Sequence, residues 1–548
     1  MTELTGAQAF VACLREEGIR FVFSVPGGQT LSILDALHDA PEIRVVTARH
    51  ESAAASMADA YGRITGKPAV VIATTGPGAT NLVTGVCNAL RDSVPMIVVS
   101  VNNHARDISH DEAQDADHVT LMRQFVKFTR YVPVPENVVP AAREALRIAV
   151  SGNPGPAHID FARDALETGR IAYAARQPHE NRAIAKPVAA DLSSIAEKIS
   201  NASRPAFWVG RGVIISEASR DIVKLAEALH APVVTTYNGI GGFPGEHPLC
   251  FGSRSKWGGR PANRVLAEAD LLVVIGNSLN SISTTRWTME LPEIVQIDLD
   301  PLSIGKRYPV AAGVVGDARD AVRRLTAALA GNVIPAARRI WVSELVTMRD
   351  RWVEEVMPDE PPGATLLDPK VVMKTIAGSF GPDAVYVYDA GNAGIWAQIP
   401  PVSRPRHYMK PVGFGAMGFA LPAAIAAKLA QPASPVLAAI GDGSLAMTLG
   451  EIETAVREQS NVIVLVFNDR SYGNIKQLQM KQYGQRRIGV DLGDLRFAEI
   501  AKAMGADGER VSTQAALRAA FETALKADRP YVIDAIIDPS VSIWDDPF

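Results

Sequence analysis

Two oxygen-bearing side chains sit at a spacing from which they could hold a divalent cation. Gly441-Asp442-Gly443-Ser444 directly follows the apolar run 436–440, and Asn468-Asp469 follows the apolar run 462–467, with the helix-length stretch 451–458 between them. Two strand tips joined by one helix lie near each other in a parallel sheet, so Asp442 and Asn468, 26 residues apart, can face one ion. A hard cation such as Mg²⁺ takes oxygen ligands near octahedral geometry, usually one or two protein groups plus phosphate oxygens. The glycines let backbone approach a phosphate, and the helix starting there offers free N–H groups. The same residues also read as an ordinary turn with Asn468 as a strand-end cap. Spacing and strand context favour the cation.

A second group of candidates lies near the N-terminus. Arg49-His50-Glu51 marks a strand-to-helix junction, and Thr75-Gly76-Pro77-Gly78-Ala79-Thr80-Asn81 follows the apolar run 69–73. Glu51 could be an acid–base group, or simply a carboxylate complementing a helix dipole. His104, His110 and His118 cluster in a polar loop and read as solvated, since no spacing ties them to Glu51. Gln114, in the same loop, is the polar residue better suited to meet a substrate.

These residues need a scaffold that puts loops at strand ends. Short apolar runs alternate with amphipathic helix-length stretches along the whole chain: 21–24, 69–73 and 96–101, then 206–210, 271–276 and 295–299, then 385–388, 436–440 and 462–467. That alternation predicts an α/β protein of open parallel sheets with helices on both faces. Two polar, proline-bearing stretches, 176–190 and 356–364, read as linkers. Three domains are therefore expected, over 1–175, 190–355 and 365–548.

The chain of 548 residues is long enough for three cores. Lys and Arg number 55 against 59 Asp and Glu, a net charge of −4 that gives no pull on nucleic acid. Cys13, Cys87 and Cys250 form no CxxC pair, which points to a reducing compartment. No stretch approaches the ~18 apolar residues of a membrane span. The expected location is the cytoplasm, with no membrane partner.

The GDG-to-Asn signature resembles that of the thiamin-diphosphate enzymes of the acetolactate synthase and 2-oxo-acid decarboxylase superfamily, and the resemblance covers essentially the full chain. It implies thiamin diphosphate and Mg²⁺ as cofactors, with Asp442, Asn468 and Arg470 at the metal. It implies that the first domain binds the cofactor's pyrimidine through Val25, Pro26, Gly76, Pro77 and Asn81, with Glu51 facing the ring nitrogen N1′. There a hydrogen-bonded carboxyl favours the imino tautomer, which takes the proton from the thiazolium carbon. Gly413-Phe414-Gly415-Ala416-Met417-Gly418 resembles the family's segment before the GDG strand. This implies Met417 as the apolar wedge under a bent cofactor and the Gly415 carbonyl as acceptor for its amine. Gly391, Asn392, Gly443, Ser444 and Tyr472 are implied around the diphosphate. The family precedent is a homodimer or homotetramer whose active sites lie at the dimer interface. The implied reaction is cleavage or formation of a C–C bond beside a carbonyl, on a 2-oxo acid, aldehyde or acyl-CoA.

Three departures limit the reading. Acetolactate synthases place a Phe beside the loop glutamine, and here Ala113 precedes Gln114. They carry a Trp after a later Gln, and here Leu478 follows Gln477. Flavin-binding members carry Arg-Phe-Asp-Asp-Arg where this chain reads Asn277-Ser278-Leu279-Asn280-Ser281, which argues against FAD and leaves an ADP or CoA moiety open. A 2-hydroxyacyl-CoA lyase and an aryl 2-oxo-acid decarboxylase stay open within the superfamily. Outside that class, a nucleotide-dependent oxidoreductase and a non-catalytic cofactor-binding homologue stay open.

Overall fold

The computed structural model describes residues 2–176, 192–255, 259–399 and 401–544. It contains three six-stranded parallel sheets. The first runs in the order Arg44–Thr47, Phe21–Ser24, Ala69–Thr74, Met96–Asn102, Pro156–Ala162, Phe128–Val132. The second has Pro205–Val209 and Leu271–Ile275 at its centre, and the third has Val436–Gly441 and Ile463–Asn468. Helices cover both faces, so the central strands are buried except at tip residues such as Thr74 of Ala69–Thr74. The α/β architecture expected from the alternating runs is the one observed. A two-stranded antiparallel ribbon, Thr2–Leu4 against Ile171–Tyr173, ties the N-terminus to the end of the first domain. Apart from Arg176, the expected linker 176–190 lies outside the described residues. No helix among the described residues is long and apolar enough to cross a membrane.

The first and third domains share one hydrophobic core. The helix Glu51–Thr65 starts where the His50 ring accepts the Ser52 N–H and stops at Gly66, with φ +72°. Its face of Ala54, Ala55 and Ala58 joins Ala423, Ala424 and Ala427 of the helix Ala420–Ala430 in a single buried cluster. Alanine costs no side-chain entropy and lets helix backbones approach closely. The central domain has a separate core around Phe207, Trp208 and Leu272.

A buried ionic knot locks the three domains. Arg63 donates to Asp59 at 2.7 and 3.0 Å and to Asp92 at 2.8 Å, all three side chains being at most 2% exposed. Asp92 also accepts from Asn238 of the central domain at 2.7 Å and from the Val412 and Gly413 N–H groups of the third, at 3.2 and 2.9 Å. Breaking a buried pair from one side leaves an uncompensated charge and costs ~3–5 kcal/mol. Asp92→Ala is expected to lower the unfolding free energy by about that amount in urea titrations. A loss below ~1 kcal/mol would mean that the knot is not a structural lock.

Candidate active site

The loops at the carboxyl ends of the third domain's strands enclose a cavity of about 230 Å³. Four of the elements around it come from the loops the sequence singled out. Gly391, with φ +80°, precedes the short helix opening with Asn392. Gly415, with φ +78°, and Met417 border the same space. Met417 is 38% exposed, so it is not core filler. Gly443 and Ser444 begin the helix Asp442–Met447, and a Cβ on Gly443 would lie 2.6 Å from the ring of Tyr472.

Two carboxylates, Asp442 and Asp469, face this cavity. Burial, followed by the neighbouring Asp469 charge, pushes the Asp442 carboxyl up to about 7, and burial also raises Asp469. Two desolvated carboxylates with no cation between them are mutually destabilising, which is the donor chemistry that suits Mg²⁺. Among the described residues no set of three or more His, Cys, Asp or Glu gathers to hold an ion. Other oxygens, from backbone, water or phosphate, would complete a shell around an ion there.

Of the metal candidates implied from the sequence, Asp442 borders the cavity and the other two do not. Asn468 is the last residue of its strand and is 1% exposed, and its side chain donates to Asp534 on the adjacent strand at 2.8 Å. Arg470 turns its carbonyl to the Leu492 N–H at 2.7 Å, and its half-exposed side chain pairs with Asp494. Neither borders the cavity; Asp469 and Ser471 do. The reason is strand alternation: a residue still paired in the sheet points along its face, whereas the next one leaves the ladder at the tip.

The first-domain candidates gather at the ends of their own sheet. Val25 and Pro26 follow the strand Phe21–Ser24, in a loop packed so tightly on Thr74 that a Cβ on Gly27 would lie 2.4 Å from that side chain. Glu51 accepts a hydrogen bond from Asn81 at 3.0 Å. Asn81 ends the helix Pro77–Asn81, which Gly76 introduces with φ +61°. The Gln114 carbonyl accepts from the Thr75 hydroxyl at 2.9 Å and would stand 2.6 Å from a Cβ on Gly76. His118, expected to be solvated, is fully buried and accepts the Gly76 N–H at 3.0 Å. His104 pairs with Asp164 at 2.8 Å, and His110 is exposed.

Within one chain the helix Glu51–Thr65 meets the third domain at both of its ends. Arg63, near the end of the helix Glu51–Thr65, lies over the Phe419 ring at 5.3 Å and donates to the Lys410 carbonyl at 3.0 Å. Glu51 stands 12 residues away on that helix, about 18 Å at 1.5 Å per residue. Met417, two residues from Phe419, belongs to the Arg63 end of that helix, whereas at the Glu51 end the Arg49 N–H donates to Glu451 at 2.9 Å.

The central domain has a polar crevice of about 140 Å³ between the tips of Pro205–Val209 and Leu271–Ile275. Glycines 210 and 212 are explained by packing, since a Cβ on either would lie within 2.5 Å of Gly276 backbone. Arg211 and Asn277 border the crevice, and the Arg211 Nε and Asn277 Nδ2 are buried without partners among the described residues. Asp298, at a strand tip there, is pushed up to about 6 by burial.

Comparison with known proteins identifies the family. Three family models match: the thiamine pyrophosphate enzyme N-terminal TPP binding domain over residues 4–121, the central domain over 192–325, and the C-terminal TPP binding domain over 389–535. Thiamine pyrophosphate is thiamin diphosphate under another name. A probable acetolactate synthase large subunit of Methanocaldococcus jannaschii is 32% identical, over 98% of this chain and 93% of that protein. The acetolactate synthase isozyme 3 large subunit of Escherichia coli and the large subunit of Haemophilus influenzae are each 30% identical, over 99% of this chain and 96% of theirs. With relatives aligned over the whole length and all three domain types in order, the chain belongs to the thiamin-diphosphate-dependent enzymes and is an acetolactate synthase-like member of that family.

Proposed function

We propose that the protein is a thiamin-diphosphate- and Mg²⁺-dependent carboligase that takes an acyl carbon from a 2-oxo acid and joins it to a second carbonyl compound. The observation that carries this reading is the pair Asp442 and Asp469 in one cavity with Met417 and the Gly443–Ser444 helix start. When bound, the cofactor supplies a carbon nucleophile for a carbonyl and an electron sink for the pair released. Asp442, Asp469 and the Ser471 carbonyl would hold Mg²⁺, while the Gly443 and Ser444 N–H groups would meet diphosphate oxygens. Met417 would support the bent conformation. Glu51, steadied by Asn81, would hold a proton at the aminopyrimidine nitrogen N1′. Gln114, on the exposed rim beside Gly76, is the polar group proposed to meet substrate.

The separation of Glu51 from Met417 within a chain supports a homo-oligomer whose active sites each combine the first domain of one subunit with the third of another. Ala113 and Leu478, where acetolactate synthases carry aromatics, leave the acceptor side less filled. Pyruvate homocoupling is therefore one option among several. The central crevice, with its buried unpaired Arg211 and Asn277 atoms, favours an ADP or CoA moiety as the second reading for that domain.

Two measurements test the proposal. Incubation with pyruvate, benzoylformate, phenylpyruvate and a 2-hydroxyacyl-CoA, with products read by mass spectrometry, is expected to yield a coupled hydroxy-carbonyl product from a 2-oxo acid. Aldehyde alone would make the protein a decarboxylase, and cleavage of the thioester substrate alone would make it an acyl-CoA lyase. In calorimetric titrations, Asp442→Ala is expected to abolish Mg²⁺-dependent cofactor retention. Asp469→Asn is expected to demand more Mg²⁺, while Asn468→Ala should leave the metal requirement unchanged. An Asp442→Ala protein with wild-type cofactor affinity, with and without EDTA, would remove the metal assignment.

A further inference from the structure

A chain of buried hydrogen bonds runs through the first domain and ends at the turn beside Glu51. Its direction follows from the donors and acceptors. The Gly76 N–H donates to His118 Nε2 at 3.0 Å, so that nitrogen carries no proton and Nδ1–H donates to Asp160 Oδ1 at 2.9 Å. Asp160 also accepts from the Ser100 hydroxyl at 2.6 Å and from Asn102 at 3.1 Å. Ser100 therefore accepts from His158 Nε2 at 2.8 Å, and His158 Nδ1 accepts from Thr129 at 2.8 Å. Burial holds His158 neutral by pushing it down to about 4. His118, Ser100 and His158 are fully buried, and Asp160 is 2% exposed.

The end of this chain is where conformation matters. Gly76 sits at φ +61°, with the Gln114 carbonyl where a Cβ would go, and Pro77 after it has no N–H. The Gly76 amide is thus the last donor before the helix Pro77–Asn81, and Asn81, that helix's last residue, donates to Glu51. Thr75 binds the Gln114 carbonyl from the same turn. We propose that His118, oriented by Asp160, is a positioning residue that fixes the Gly76 turn and thereby sets Asn81, the Glu51 carboxylate and the Gln114 loop for the reaction. This rests on the reading of Glu51 given above. A histidine needed only to fill the core would not have to aim both nitrogens along a fully paired path.

The test compares His118→Leu, which removes both polar contacts, with His118→Gln, whose amide keeps one acceptor and one donor. The first readout is hydrogen exchange of residues 75–82 in the cofactor-free protein, and the second is kcat, KM and cofactor affinity. The leucine variant is expected to exchange faster over that segment and to lose on the order of 10- to 100-fold in kcat, the scale of a sub-ångström to 1 Å misplacement. Cofactor affinity should stay within a few-fold, and the glutamine variant should recover most of both losses. If His118→Leu does not fold, Asp160→Asn serves instead, with the same pattern expected at a smaller amplitude. Wild-type exchange and kcat in a folded His118→Leu protein, or a glutamine variant no better than leucine, would overturn the proposal. Glu51→Gln measured alongside separates the two ideas. Full turnover in that variant would remove the glutamate's role but leave faster exchange at Gly76 as evidence for the turn.

Discussion

Replacing Glu51 by glutamine is expected to lower kcat by on the order of 10²- to 10⁴-fold while the fold and cofactor affinity stay close to wild type. The amide keeps the size of the carboxylate and an oxygen able to accept from Asn81, so the local hydrogen bond at 3.0 Å survives. What disappears is the ability to exchange a proton at a ring nitrogen. The loss should therefore fall on turnover rather than on binding, since it removes an interaction made in the transition state and not in the ground state. Steady-state rates at saturating cofactor, together with a calorimetric dissociation constant, check both halves. Unchanged kcat would show that Glu51 is only a helix-start carboxylate.

Mixing Glu51→Gln with Asp442→Ala subunits, each inactive alone, is expected to restore about a quarter of wild-type activity. Glu51 opens the helix Glu51–Thr65, about 18 Å of helix from the Arg63 end that touches Phe419, whereas Asp442 lies at a third-domain strand tip. The proposed site draws them from two subunits, as closed two-fold symmetry allows. Random pairing of equal amounts makes about half of the dimers hybrid, and each hybrid carries one doubly defective site and one intact site. Native mass spectrometry counts the hybrids. If hybrids are present and activity stays at zero, the two residues serve one site from a single chain and the interface architecture fails.

The three-sheet architecture and most central strands were legible because strands buried on both faces read as uninterrupted apolar runs, as in Ala69–Thr74 and Leu271–Ile275. The strand Pro156–Ala162 was not, although all seven of its residues are buried. His158 and Asp160 interrupt its apolar run, and only the fold reveals that they are partners of Ser100 and His118. The edge strand Phe128–Val132 was missed for a different reason: it is short and only partly buried. The loops around the cavity were legible but not the register at its rim, since spacing alone does not say whether Asn468 or Asp469 leaves the ladder to border it. His118 was unreadable from sequence because a polar loop reads as solvated until its end is seen to tuck under the sheet.

The core shared by the first and third domains also has a consequence for how the chain is made. The helix Glu51–Thr65 leaves the ribosome about 350 residues before its packing partner Ala420–Ala430. At 5–20 residues per second that is a wait of roughly 20–70 s, during which an alanine face built for another helix stays bare. The central domain, with its own core, can fold in the interval. One side of the first domain packs on a core of its own, but the face that carries Glu51–Thr65 cannot close until the third domain arrives. A nascent chain stalled in the central domain would therefore present a sticky, unfinished N-terminal unit, and chaperone demand in the cell should track how far synthesis has progressed rather than how stable the finished protein is.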